Sequence, residues 1–241
     1  MAPLSDLLVI RSRRDIWSLV IAICGFAIFA SVSLGYVLTA PQDRGPALQR
    51  AVLISSVISI PVAYWMAKGL WVIQRLNEQL EFMLNHDPLT EVFTRRYFFD
   101  AFRGAFRDRA CVVALVDIDH FKSINDTFGH HVGDTMLRMV SVALTEPCDK
   151  DDFVVRLGGE EFAVCFFDLM IEDGVARAEE LRQSVERREL EVGQRMVGCT
   201  VSVGLGVYRP GDKIDAVLQS ADAALYLAKR SGRNQVRQLV A

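Results

Sequence analysis

Three short segments carry the side chains that could do chemistry in this sequence. The first is Asp117-Ile118-Asp119-His120-Phe121-Lys122-Ser123-Ile124-Asn125-Asp126, where two carboxylates close the apolar run that begins at Cys111. Carboxylates at a strand end beside a turn suit Mg²⁺, which takes one or two of them and completes its shell with water and phosphate oxygens. An Asp in that place can equally cap the following helix. The second is Arg156-Leu157-Gly158-Gly159-Glu160-Glu161-Phe162. Its glycines let another backbone or a nucleotide base come close. Its paired glutamates cost energy in a hairpin unless a cation or solvent meets them, and an exposed turn is the simpler account. The third is Ala228-Lys229-Arg230-Ser231-Gly232-Arg233-Asn234. Lys229 and Arg233 suit phosphate charge, or serve only as cations favoured at a helix C-terminus.

The elements that must hold these segments are legible from pattern. Residues 112–116 form a continuous apolar run, as a strand buried on both faces requires. Residues 153–157 and 161–167 flank Gly158-Gly159 as a β-hairpin. Residues 172–188 and 214–229 have helical periodicity, with Gly232 as a stop for the second. Residues 196–208 read as one β-branched strand, and 235–240 as a last one. Strands alternating with helices predict an α/β domain, an α+β sandwich with helices flanking a mostly antiparallel sheet. His120, His130 and His131 cluster in sequence, and local hydrogen bonding accounts for them better than metal ligation. The five cysteines lack CxxC spacing, so no zinc site is expected, and Cys111, Cys165 and Cys199 sit in apolar runs as core residues.

Taken together the segments resemble the GGDEF family of diguanylate cyclases, in its GGEEF form. The resemblance runs from Asp87-Pro88-Leu89-Thr90 through the Asp117–Asp126 run, Gly129-His130-His131-Val132-Gly133-Asp134, the Gly158–Phe162 signature, Ser202-Val203-Gly204 and the 221–234 stretch. It implies condensation of two GTP into cyclic di-GMP with release of pyrophosphate, on a nucleotidyl-cyclase-like fold. It implies Asp117, the Ile118 carbonyl and Glu160 as ligands of Mg²⁺, or of Mn²⁺ in its place. Asn125 and Asp134 become guanine readers, and Lys122, Lys229 and Arg233 triphosphate contacts. Phe121, Gly158 and Gly159 also fall at the nucleotide, and Glu161 is the candidate to help deprotonate the ribose 3′-hydroxyl. A module that binds GTP without turning it over is the alternative, but it need not keep this whole set. Many relatives carry Arg-x-x-Asp before the double glycine as a product-inhibition site. Here Asp149 stands in place of the Arg, with Asp152 retained, so that site is expected to be absent.

Composition adds the rest. The 241 residues are 51% hydrophobic and 24% charged, with a net charge of −3. That mild acidity argues against a nucleic-acid binder held by phosphate contacts. The charge is divided: residues 1–80 carry +3 and residues 81–241 carry −6. Ile16 to Leu38 is a 23-residue stretch without a charge, long enough as a helix to cross a bilayer core of roughly 30 Å. A second uncharged stretch, Ala51 to Ala67, continues past Lys68 to Ile73. Two transmembrane helices are expected, about 16–38 and 51–73. Arg11, Arg13 and Arg14 before the first and Lys68 and Arg75 at the end of the second place both termini and the enzyme on the cytoplasmic side of the inner membrane. Small residues repeat every fourth position, Ala27-Ser31-Gly35 and Ser55-Ser59-Ala63-Ala67, a stripe suited to close helix packing. Beyond the membrane, Leu70, Ile73, Asn77, Leu80 and Leu84 form a short a/d seam that suits a parallel dimer. The expected order is an N-terminus (1–15), a membrane hairpin (16–73), a helical stalk (74–86) and a catalytic domain (87–241).

Overall fold

The computed structural model describes residues 13–239, and it divides near residue 80 into two compact units. Arg11 and Val240, invoked above for topology and for the last strand, lie outside the described residues.

The N-terminal unit is helical. Helix α1 (Arg13–Leu38) is followed by a single 3-10 turn at Pro41–Asp43 and by α2 (Arg44–Asn85). Pro41 opens the turn, where a missing N–H costs nothing. The expected second span and stalk are one continuous helix, because Pro61 lies inside it without ending it. Small residues let the two helices meet antiparallel. Cys24 Sγ donates to the Ser59 carbonyl at 3.7 Å and Ser31 Oγ to the Ala51 carbonyl at 3.4 Å. A Cβ added at Gly35 would lie 3.7 Å from that of Ala51, and Ala63 and Ala67 are buried. The large side chains point the other way: Ile21, Phe26, Phe29, Val57 and Trp65 are each more than 60% exposed. Both helices are long and apolar enough to cross a membrane, with mean hydropathies of 2.2 and 1.5 over their most apolar windows.

The C-terminal unit is built on a six-stranded mixed sheet. Its strands are β1 (Phe93–Thr94), β2 (Cys111–Ile118), β3 (Phe153–Gly158), β4 (Glu161–Phe167), β7 (Val201–Tyr208) and β8 (Val236–Gln238), in the order β1-β3-β4-β2-β7-β8. The central pairings are antiparallel and the two edge pairings parallel. β5 (Glu189–Val192) and β6 (Arg195–Gly198) form a separate hairpin. Helices α4 (Phe121–Phe128), α5 (His130–Thr145) and α6 (Ile171–Glu186) supply one face, and α3 (Arg95–Arg103) and α7 (Ile214–Arg230) the other.

Alternation along β2 sorts the two cores. Val112, Ala114, Val116 and Ile118 join Met136, Leu137 and Leu181. Cys111, Val113 and Leu115 join Phe98, Phe102, Val217 and Leu225. Every residue of β2 is buried, which is why its sequence shows an apolar run and no alternation. The helix α7 lies almost on the backbone of β7. A Cβ at Gly204 would fall 2.1 Å from the Ala221 carbonyl oxygen, so only glycine permits this approach.

The strand expected over 196–208 is broken at Cys199-Thr200 into β6 and β7. There the Thr200 carbonyl accepts from the Asp119 N–H at 2.9 Å and its hydroxyl donates to Asp119 Oδ2 at 2.7 Å, which ties the chain to the extension of β2. All five cysteines are free thiols. Burial pushes those of Cys148 and Cys199 up to about 12, so they are unreactive at neutral pH.

Candidate active site

Asp117 is the last but one residue of the central strand, and its neighbours in register are Glu161 on β4 and Ser202 on β7. Residues directly opposite on antiparallel strands place their side chains on one face about 5 Å apart, and two like charges there repel. A cation answers that repulsion: Lys229 Nζ, from the last turn of α7, stands 2.8 Å from Asp117 Oδ2. Burial pushes the Asp117 carboxyl above its ordinary range. Lys229 pulls against that shift, and the charges of Glu160 and Glu161 add to it.

Glu160 and Glu161 are presented by the β3–β4 turn. Gly158 closes β3, and Gly159 follows in the left-handed region at φ 53°. The Ile118 N–H donates to the Glu160 carbonyl at 3.4 Å, which brings the turn beside the end of β2. The turn is also held from below. Arg156 donates from Nε and Nη2 to the Gly159 carbonyl at 3.1 and 2.8 Å, and from Nη1 to Asp87 Oδ1 at 2.9 Å. Asp87 in turn accepts from the N–H groups of Leu89 and Thr90 and from the Thr90 hydroxyl. Burial raises the Asp87 carboxyl, but the Thr90 and Arg156 hydrogen bonds outweigh it and hold the group below its ordinary range. Sequence reasoning gave neither Arg156 nor Asp87 a role. The signal was present: Asp-Pro-Leu-Thr is a side-chain-capped turn, with Asp accepting from the two residues after its proline.

Asn125 and Asp134 come from adjacent helices. Gly129, at φ 85°, separates α4 from α5. A Cβ at Gly133 would fall 1.9 Å from Asn125 Oδ1, so the absent side chain leaves room for the Asn125 carboxamide against the residue that precedes Asp134. Phe121 is buried in the core and anchors the start of α4, while Lys122 next to it is exposed. His120 precedes α4 in the left-handed region at φ 57°, a turn-shaping place. His130 and His131 are exposed at the start of α5.

Asp119 does not join Asp117. It is 4% exposed, and its carboxylate is filled by the Ser202 hydroxyl at 2.7 Å, the Thr200 hydroxyl at 2.7 Å and the Asn234 N–H at 3.1 Å. It therefore fixes the turn that carries Arg233. From the other side Arg182 Nη1 donates to Asn234 Oδ1 at 2.6 Å, and Asn234 Nδ2 donates to Glu186 Oε1 at 2.7 Å. Arg233 itself is exposed, at φ 62°.

Two clefts share Glu161 and Asp222. One, of about 310 Å³, is bordered by Arg95, Phe99 and Leu157; the other, of about 500 Å³, by Tyr226, Lys229 and Leu239. Among the described residues no three His, Cys, Asp or Glu side chains converge to hold a metal alone. The pair Asp117 and Glu160 with the adjacent backbone fits Mg²⁺, which leaves much of its shell to water and phosphate, and a cation already stands against Asp117. Away from the clefts, Arg177 bridges Asp149 Oδ2 at 2.7 Å and Asp152 Oδ2 at 3.0 Å.

Comparison with known proteins gives a consistent picture. Residues 84–235 match the family described as "Diguanylate cyclase, GGDEF domain". The chain is 31% identical over 231 residues to the probable diguanylate cyclase DgcT of Escherichia coli K12, covering 93% of this chain and 50% of that protein. It is 37% identical over 217 residues to the response regulator PleD of Caulobacter vibrioides, covering 81% of this chain and 48% of that protein. Thus it spans about half the length of these curated relatives. The crystal structure of the coiled coil and GGDEF domain of DgcB from Caulobacter crescentus, in complex with c-di-GMP, aligns with a TM-score of 0.63 at 33% identity. It covers 73% of this chain and 98% of that one.

Proposed function

Because the chain belongs to the GGDEF family, we propose that it is a membrane-anchored diguanylate cyclase, condensing two GTP into cyclic di-GMP and two pyrophosphates. The observation that carries this reading is the pairing of Asp117 with Glu161 across the β2–β4 register, with Glu160 beside them and Lys229 against Asp117. Such a cluster of carboxylates with an adjacent cation suits a metal-bound triphosphate.

Asp117, Glu160 and the Ile118 carbonyl would hold Mg²⁺ or Mn²⁺. Bound there, the ion would supply charge neutralisation at the triphosphate. Asp134 accepts from the guanine N–H groups, while Asn125 can both donate and accept. Lys122, Lys229 and Arg233 meet the phosphate oxygens, which offsets the charge of the departing pyrophosphate. Gly158 and Gly159 leave the nucleotide room, and Glu161 accepts the proton of the 3′-hydroxyl as it attacks the α-phosphate.

Each protomer presents one GTP, so the reaction needs two sites facing across a two-fold axis. The exposed seam of Ile73, Leu80 and Leu84 on α2 supplies the dimer contact and raises the effective concentration of the two domains. The exposed apolar faces of α1 and α2 lie in the cytoplasmic membrane, both termini inside, as Arg14, Lys68 and Arg75 require.

The test is incubation of the purified dimer with GTP and Mg²⁺, with identification of the products, repeated for Glu161→Ala. Cyclic di-GMP from the parent and a loss of at least about 100-fold in the variant are expected. GTP binding without turnover would reduce the chain to a nucleotide-binding module. The product itself should not inhibit through the 149–152 turn. There Asp152 is occupied by Arg177 and by the N–H groups of Asp149 and Phe167, and Asp149, paired with the same guanidinium, offers an anion no side-chain donor. Potent noncompetitive inhibition by cyclic di-GMP, lost in Asp152→Ala, would refute this.

A further inference from the structure

Lys229 stands against the carboxylate read above as a metal ligand. Its ammonium is 2.8 Å from Asp117 Oδ2, with the Asp117 side chain 9% exposed and that of Lys229 35% exposed. The point from which the side chain rises is fixed by backbone packing. Helix α7 is pressed on β7 at Gly204 and Gly206, where a Cβ would fall 2.1 Å from the Ala221 oxygen and 2.6 Å from the Val217 oxygen. Ala228, just before it, is fully buried. Lys229 also lies in the last turn of α7, where a cation is favoured by the free carbonyls. The stem thus rises from a rigid point, while its four carbons let the charge itself swing.

The cluster it serves favours a cation beside Asp117. Asp117, Glu160 and Glu161 act on one another as like charges, and leaving them unmet destabilises the sheet end. An ammonium drawn toward the several negative charges of a triphosphate neutralises Asp117 less, and while it stays close it repels a second cation at the same carboxylate.

We propose that Lys229 is a placeholder cation: in the nucleotide-free protein it closes Asp117 against free divalent metal, and it leaves only when a triphosphate takes its charge. Metal then enters with the nucleotide and not before it. This deepens the reading of Asp117 as a metal ligand and Lys229 as a phosphate contact, and rests on it.

The experiment is Mn²⁺ binding to the full chain in nanodiscs, followed by the electron paramagnetic resonance of free Mn²⁺. It is run without nucleotide and with a GTP analogue whose α,β-bridge is methylene, the analogue's own Mn²⁺ affinity being measured separately. Wild type should bind Mn²⁺ weakly alone and tightly with the analogue. Lys229→Met should bind Mn²⁺ alone about fivefold more tightly than wild type and lose that advantage when the analogue is present. Lys229→Arg, which keeps the charge, should behave as wild type. Wild type binding Mn²⁺ equally well with and without the analogue would overturn the proposal, and that arm needs no variant to fold. So would Lys229→Met binding no more tightly than wild type. Asp117→Asn separates the two levels. If it leaves Mn²⁺ affinity unchanged, the metal assignment beneath the proposal fails. If it abolishes Mn²⁺ binding while Lys229→Met matches wild type, only the placeholder role fails.

Discussion

At the scale of single residues, two positions separate recognition from scaffolding. Gly133 is the wall against which Asn125 rests, since a methyl there would meet Asn125 Oδ1 at 1.9 Å. Gly133→Ala should therefore turn the carboxamide away with little change in fold. The expected result is a raised KM for GTP and weaker discrimination against ATP, by about tenfold each, as loss of one base hydrogen bond of 1–1.5 kcal/mol would give. Competition kinetics with the two nucleotides checks it. Asp119 behaves in the opposite way. Its buried carboxylate accepts three hydrogen bonds from Thr200, Ser202 and Asn234, so Asp119→Ala strands three donors. A loss of about 3 kcal/mol in urea unfolding is expected, with a weakened hold on triphosphate through the loosened Arg233 turn. Mn²⁺ affinity in the folded variant should stay as in wild type, because Asp119 faces no metal position.

At the scale of elements, the β3–β4 turn owes its place to Arg156, which ties the Gly159 carbonyl to the Asp87 turn. Arg156→Ala should cost about 2 kcal/mol and lower kcat more than KM for GTP, since the turn carries Glu160 and Glu161. Urea titration and steady-state kinetics on the same preparation test both parts. The same ion pair has a pH signature. Against the upward push of burial, Thr90 and Arg156 hold the Asp87 carboxyl below the ordinary carboxylate range. Its contribution is thus fully present above about pH 4 and is lost as pH falls through the lowered folded value. The stability gap between wild type and Asp87→Asn should be constant at neutral pH and close in acid. A gap that widened in acid would contradict the assignment. Another element-scale constraint is the contact of α7 with β7, where Gly204 admits no Cβ; it is this contact that brings Lys229 to Asp117.

At the scale of the whole molecule, the chain joins an apolar helical unit to an acidic GGDEF unit. Each has its own packing logic: small residues between two helices in the first, and two apolar layers about a sheet in the second. Deleting residues 1–67 should leave the second unit folded and in solution. Its cyclase activity per protein should then fall on dilution, because dimerisation is no longer confined to a membrane plane and rests on the short α2 seam alone. A specific activity independent of concentration over a hundredfold dilution would contradict the dimer reading.

How much of this was legible in the sequence follows from the range of the forces involved. The buried strand 111–118, the hairpin about Gly158-Gly159, the two apolar helices and the helix over 214–229 announce themselves because burial and turn chemistry act on neighbours in the chain. The reading of Asp117, Glu160, Glu161 and Lys229 came through the family resemblance, since each segment alone also reads as a helix cap, an exposed turn or a cation at a helix end. The task of Asp119 was not legible, since only the approach of Thr200, Ser202 and Asn234 from distant segments claims its carboxylate. Nor were the break at Cys199-Thr200, the bond from Arg156 to Asp87, or the Lys229–Asp117 pair. Each depends on groups far apart in sequence meeting across a sheet. Short-range chemistry thus put the charged groups into their motifs, while packing between distant segments set Asp117 against a cation and consumed Asp119 in holding the site together.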